Sequence, residues 1–92
     1  MFARHDRDQI FDFLEAMNPR AAVKIDERIA AQTALLAEFP EMGRSGRVHG
    51  TRELVINGTP YLAAYRVEVS SIRVLRVLHG SQEWPDDFPD SG

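Results

Sequence analysis

Cysteine is absent from this 92-residue chain, which excludes disulfides and thiolate metal sites at once. No apolar run approaches the length of a bilayer span, and the charged start Arg4-His5-Asp6-Arg7-Asp8 is unlike a secretory leader. The expected setting is therefore the cytoplasm, with no membrane partner. Gly43, Gly46 and Gly50 lack both the spacing and the trailing Lys-Ser/Thr of a phosphate-cradling loop. His5, His49 and His79 are too scattered for a metal set, so neither metal nor cofactor is expected. Ser70 and Ser71 fall in a turn with no histidine nearby in sequence, which argues against a nucleophilic serine. There is no internal repeat and no low-complexity tract. A chain of this size forms one domain around one core, expected over residues 1–80, with an acidic C-terminal tail over 81–92.

Charge is present but unevenly placed. Residues 1–42 carry five basic and eight acidic side chains, residues 43–80 six arginines against Glu53 and Glu68, and residues 81–92 four acids and no base. The balances are −3, +4 and −4, and the chain as a whole stands at −3 with a pI near 5.5. Affinity for a nucleic-acid duplex or single strand draws heavily on phosphate neutralisation, so an extended nucleic-acid contact is disfavoured. A small local phosphate site is not.

Ile10, Phe13, Leu14 and Met17 fall at i, i+3, i+4 and i+7, which predicts a first helix over Asp6–Met17 with one apolar stripe. Asn18-Pro19 ends it and opens the next, with Asn18 as N-cap and Pro19 at the first helical position. The second helix is expected over Pro19–Phe39, with Ala22, Ile25, Ile29, Leu36 and Phe39 near one face and Pro40 as its stop. Pro40–Gly50, with three glycines and Arg44, Arg47 and His49, reads as a connecting loop. Three strands follow at Thr51–Ile56, Tyr61–Val69 and Ile72–His79, separated by the turn clusters Asn57-Gly58-Thr59-Pro60 and Ser70-Ser71.

Period-two alternation places Tyr61, Ala63, Tyr65, Val67 and Val69 on the face that meets the helices. Leu62, Ala64, Arg66 and Glu68 take the opposite, helix-free face. In the last strand Ile72, Val74 and Leu78 share a face with Arg76, while Leu75 and Val77 share one with Arg73 and His79. Apolar residues on both faces imply an interior strand, or one covered by another chain.

The polar residues inside these strands are the candidates for chemistry. Arg66 with Arg52 on the neighbouring strand could clamp a phosphate or carboxylate; the plainer alternative is a cross-strand ion pair with Glu53 or Glu68. His79 could serve as general acid or base near neutral pH, or simply cap the sheet edge. Glu53 could act as a general base if it reaches a bound hydroxyl.

The order of the segments, and the words IFDFL (Ile10–Leu14), NPRAA (Asn18–Ala22), LLAEFPEMGRSGR (Leu35–Arg47), GTREL (Gly50–Leu54), PYLAAYRV (Pro60–Val67), IRVLRVLHG (Ile72–Gly80) and EWP (Glu83–Pro85), resemble the RelE/ParE superfamily of toxins from bacterial type II toxin–antitoxin modules. The resemblance implies an α+β fold: a two-helix antiparallel hairpin on one face of a three- or four-stranded antiparallel sheet. It further implies a cognate, ParD-like antitoxin bound as a hetero-oligomer. RelE-like members cut messenger RNA on the ribosome; ParE-like members poison DNA gyrase and need no catalytic residues of their own. Carried across, the strand arginine of the ribonucleases falls on Arg66 and their C-terminal histidine on His79, with Glu53 as a possible third member.

Two departures favour the ParE-like side: Ser81 and Gln82 stand where an RNase would benefit from basic or aromatic groups, and the chain is acidic. The family's usual strand before the first helix has no room ahead of Asp6, so either the start is cut short or one sheet edge is open. The expected function is thus gyrase inhibition. The alternatives are a ribosome-dependent mRNA endoribonuclease, and a non-toxic interaction module or inactive relic. Antitoxin contacts are expected at Ile10, Phe13 and Leu14 on the hairpin, at Ile72 and Val74, and through partner acids at Arg66 or Arg76.

Overall fold

The computed structural model describes residues 2–81 and Trp84; the expected acidic tail lies, apart from Ser81 and Trp84, outside the described residues. Helices α1 (Phe2–Met17) and α2 (Pro19–Ala34) form the hairpin, followed by a 3₁₀ turn over Leu35–Ala37. Strands β1 (Arg44–Ser45), β2 (Arg52–Val55), β3 (Tyr61–Val67) and β4 (Ile72–His79) make one antiparallel sheet in the order β1-β2-β3-β4.

The joint between the helices is built as its residues dictate. Asn18 has an extended backbone, its Oδ1 accepts the Ala21 N–H at 3.2 Å, and Pro19 opens α2. The sequence expectation needs adjustment at several points. Helix α1 begins at Phe2 rather than Asp6, and α2 ends at Ala34 rather than reaching Phe39. The last orphan carbonyls tighten instead into the 3₁₀ turn, where Glu38 and Phe39 both donate to the Leu35 carbonyl, leaving Phe39 exposed. Strand β1 sits inside the segment expected to be loop. Val69 does not meet the helices: β3 stops at Val67 and the Val69 side chain is exposed, while Val67 is partly exposed at the border of a cleft with Thr33 and Ala34 of α2.

The main core lies between hairpin and sheet, with Ile29, Leu36, Leu54, Ile56, Ala63, Tyr65 and Val77 buried and Ile10, Leu14, Ile72 and Val74 packed beside them. A smaller apolar cluster covers the other face, where Val48, Leu75 and Leu78 gather around Ala64 with Trp84 against them. Among the described residues strand β4 lies at the edge of the sheet, not in its interior. Its apolar residues face both ways because the partner of β3 jumps from Arg76 (opposite Ala64) to Val74 (opposite Tyr65), leaving Leu75 as an extra residue. This β-bulge flips the alternation, so Leu75 joins the helix-free cluster while Val74 and Val77 stay on the helix side.

Two polar tethers fix the loops. The buried Tyr65 hydroxyl donates to the Pro40 carbonyl at 2.7 Å and accepts the Gly43 N–H at 2.9 Å. Gln32 on α2 pairs with the Asn57 backbone through both its amide groups, and Arg28 donates to the Asn57 carbonyl. The β2–β3 turn itself depends on Gly58, whose φ of +78° is a conformation that side chains disfavour.

Candidate functional site

Glu53 lies on the helix-free face, opposite Ala64, and its side chain is only 2% exposed. Such a burial is tolerable for a carboxylate only when its lone pairs are taken. Burial pushes its pKa up, but the Arg47 backbone N–H at 2.8 Å and the Arg47 and Arg44 guanidinia at 3.1 and 3.2 Å outweigh that and hold it below the ordinary carboxylate value. Glu53 therefore anchors the loop that carries Arg44 and Arg47. A carboxylate held ionised by two guanidinia is a weak proton acceptor. Arg47 is in turn stacked over Trp84, its guanidinium carbon 3.8 Å from the ring centre.

Arg52 does not join Arg66 in a clamp, nor does it pair with Glu53 or Glu68. Its guanidinium donates to the backbone carbonyls of Glu41 and Gly43, closing the turn that precedes β1. Arg66 is half-buried and sits opposite Arg73 in the β3–β4 ladder, and Arg73 reaches Glu68 at 3.3 Å.

His79 stands at the other end of that ladder, opposite Tyr61, with the two rings edge to face at 5.5 Å. Its Nδ1 accepts the Ser81 N–H at 3.1 Å, which places the neutral-form proton on Nε2. Tyr61 belongs to the helix-side core, so His79 faces α1, beside Gln9 and Phe13. Five residue steps along β3, from Tyr61 to Arg66, separate the levels of His79 and Arg66, about 16 Å along a strand, and the two side chains leave opposite faces. Arg66 and Glu53 share a face; His79 does not join them.

Among the antitoxin-contact candidates, Ile10 and Leu14 are half-buried against the core, whereas Phe13 and Met17 from the same stripe are more than 60% exposed. Ile72 and Val74 are half-buried at the sheet edge. Arg76 is engaged within the chain: its Nε and Nη2 meet the two Asp6 oxygens at 2.7 and 3.0 Å. Asp6, which also accepts the Val77 N–H at 2.9 Å, is the polar residue that sequence reasoning passed over. The available signal was its position four residues before Ile10, on the same apolar stripe.

Among the described residues no group of His, Asp and Glu is arranged to hold a metal, and no helix is long and apolar enough to cross a membrane. A model of the ParE toxin of type II toxin–antitoxin (parDE) systems matches residues 3–84. The protein Y4kP of Sinorhizobium fredii is 40% identical over 78 residues, covering 85% of this chain and 80% of its own. Toxin RelE1 of Caulobacter vibrioides is 32% identical over 83 residues, 88% of each chain. A structure of the chromosomal ParDE system from P. aeruginosa superposes with a TM-score of 0.77 at 30% identity, over 85% of this chain and 87% of that one. The chain belongs to the family of ParE toxins of type II toxin–antitoxin systems, within the RelE/ParE superfamily.

Proposed function

We propose that this toxin acts by binding and inhibiting DNA gyrase, without bond-making chemistry of its own, and that a ParD-like antitoxin neutralises it. The observation that carries this reading is the dispersal of the three residues an RNA-cutting member would use. Glu53 is buried under two arginines, Arg66 lies beside Arg73, and His79 faces α1 at the far end of the ladder. General acid–base catalysis needs its groups within hydrogen-bond reach of one substrate hydroxyl and one leaving oxygen. These three do not converge. The net charge of −3 supports the same reading, since RNA contact gains from positive charge.

The antitoxin anchors proposed on the hairpin are Ile10, Phe13 and Leu14; the exposed ring of Phe13 beside exposed Met17 offers apolar area that a partner helix would cover. Induced expression is expected to cause filamentation and DNA-damage signalling before messenger RNA declines, and co-expression of the neighbouring antitoxin frame should restore growth.

A second reading, a ribosome-dependent mRNA endoribonuclease, draws on the likeness to Toxin RelE1 and Toxin RelE2 of Caulobacter vibrioides, 32% and 31% identical. It predicts prompt transcript cleavage that Arg66→Ala abolishes by removing charge stabilisation at the reacting phosphate. Harmless expression with no neighbouring antitoxin frame would point instead to a non-toxic module.

A further inference from the structure

On the helix-free face two guanidinia share one buried carboxylate. The Nη2 atoms of Arg44 and Arg47 converge on the same oxygen, Glu53 Oε1, at 3.2 and 3.4 Å. The other oxygen accepts the Arg47 backbone N–H and Nε–H at 2.8 and 3.1 Å. Glu53 lies inside at 2% exposure, yet the two arginine side chains that hold it are 59% and 43% exposed. Pairing with Glu53 therefore engages the inner edges of the two forks and leaves outer N–H groups in solvent. One carboxylate cancels one of two positive charges, and among the described residues no second carboxylate meets either arginine. A net positive charge stays at the surface, spread over two forks that share an anchor.

The loop beneath them is tied down as well. Gly46 N–H donates to the Thr51 carbonyl at 2.8 Å and Thr51 N–H to the Val48 carbonyl at 3.1 Å, so the turn carrying Arg47 is closed by its own backbone. Trp84 lies flat against the Arg47 guanidinium at 3.8 Å. Donors already held in place lose little freedom when an anion arrives. A carboxylate has two coplanar oxygens and is matched by a single fork, whereas two forks around a common point suit a tetrahedral phosphate, whose oxygens face more than one way.

We propose that Arg44 and Arg47, held on Glu53, form a clamp for one phosphate of the DNA that gyrase holds. The proposal rests on the reading of this toxin as a gyrase inhibitor and deepens it, by giving the toxin a contact to the DNA as well as to the enzyme. A chain of net charge −3 is a poor DNA binder in its own right. A single phosphate contact needs only local positive charge, because the enzyme supplies the rest of the binding.

The test measures the affinity of the full-length toxin for purified gyrase, with and without a linear DNA duplex bound, in the absence of nucleotide. The duplex should tighten wild-type binding about fivefold to tenfold, and that gain should fall with rising salt at a logarithmic slope of about 0.9, as one phosphate contact requires. Arg44→Gln should remove most of the gain; Glu53 keeps its Arg47 bonds in this variant, and unchanged circular dichroism checks the fold. Arg44→Lys, which keeps the charge without the fork, should retain the salt slope and part of the gain. Equal affinity with and without duplex, or a gain that persists in Arg44→Gln, would overturn the clamp while leaving gyrase inhibition standing. An equal loss in Arg44→Gln with and without duplex would assign the arginines to a carboxylate of gyrase and overturn the phosphate contact. Inorganic phosphate reproducing the gain in place of the duplex would overturn the assignment to DNA. A toxin that binds gyrase in neither state would overturn the gyrase reading and this proposal together.

Discussion

Asp6 and Arg76, seventy residues apart, form a two-pronged ion pair at 2.7 and 3.0 Å that fastens the first turns of α1 to the edge strand. Because the carboxylate side chain is 7% exposed and also holds the Val77 amide, its removal strands a guanidinium and a backbone donor together. Asp6→Ala is expected to cost about 3 kcal/mol in a urea melt, more than a surface pair of the same length would. Asp6→Asn, which keeps one acceptor for the Val77 amide, should cost less.

Tyr65 is wholly buried and its hydroxyl both donates to Pro40 and accepts from Gly43. Tyr65→Phe keeps the ring and removes the oxygen, leaving both backbone groups without it. The expected loss is about 2 kcal/mol, with exchange at the Gly43 amide speeding up before the sheet opens. Equal protection of that amide in both proteins would contradict the role given to the hydroxyl.

Glu53 makes stability depend on acid. Its folded-state pKa lies below the unfolded value, because the Arg47 and Arg44 hydrogen bonds outweigh the opposing effect of burial. Its contribution is fully present above the ordinary carboxylate range and is lost as pH falls through that range toward the lower folded value. Glu53→Gln should flatten this acid limb of the stability curve. It should also loosen Arg44 and Arg47, seen as faster exchange at the Arg47 amide.

Gly58 carries φ +78°, and a Cβ there would meet the Arg28 guanidinium. Gly58→Ala is expected to cost about 1–2 kcal/mol through the left-handed backbone, and to release the Arg28 contact to Asn57. Thermal melts of Gly58→Ala and Arg28→Ala, alone and combined, should show non-additive losses.

The hairpin and the meander were legible because local chemistry specifies them. Asn18-Pro19 spells an N-cap and a first turn, and Asn57-Gly58 spells a tight turn whose glycine adopts positive φ. Strand β1 was not legible: Arg44-Ser45 is two exposed residues, too short for any alternation to show. The faces of β4 were misread from Arg76 onward, since the bulge at Leu75 shifts the alternation, depends on the partner strand and leaves no local mark. The helix stripe over Ile10, Phe13, Leu14 and Met17 overstated burial, because periodicity gives a face but not how far the sheet extends beneath it. At the candidate site, composition singled out the arginines and Glu53 but not their partners. Whether Arg52 meets Glu53 or a backbone carbonyl is set by the fold of residues 41–43, not by spacing.

The most direct measurement is a supercoiling assay with purified toxin, DNA gyrase, ATP and relaxed plasmid, run beside a ribosome-programmed messenger RNA. The account predicts that supercoiling is inhibited, that the messenger stays whole, that Arg66→Ala leaves inhibition within about twofold of wild type, and that the antitoxin reverses it. Undisturbed gyrase together with messenger cleavage that disappears in Arg66→Ala would contradict it.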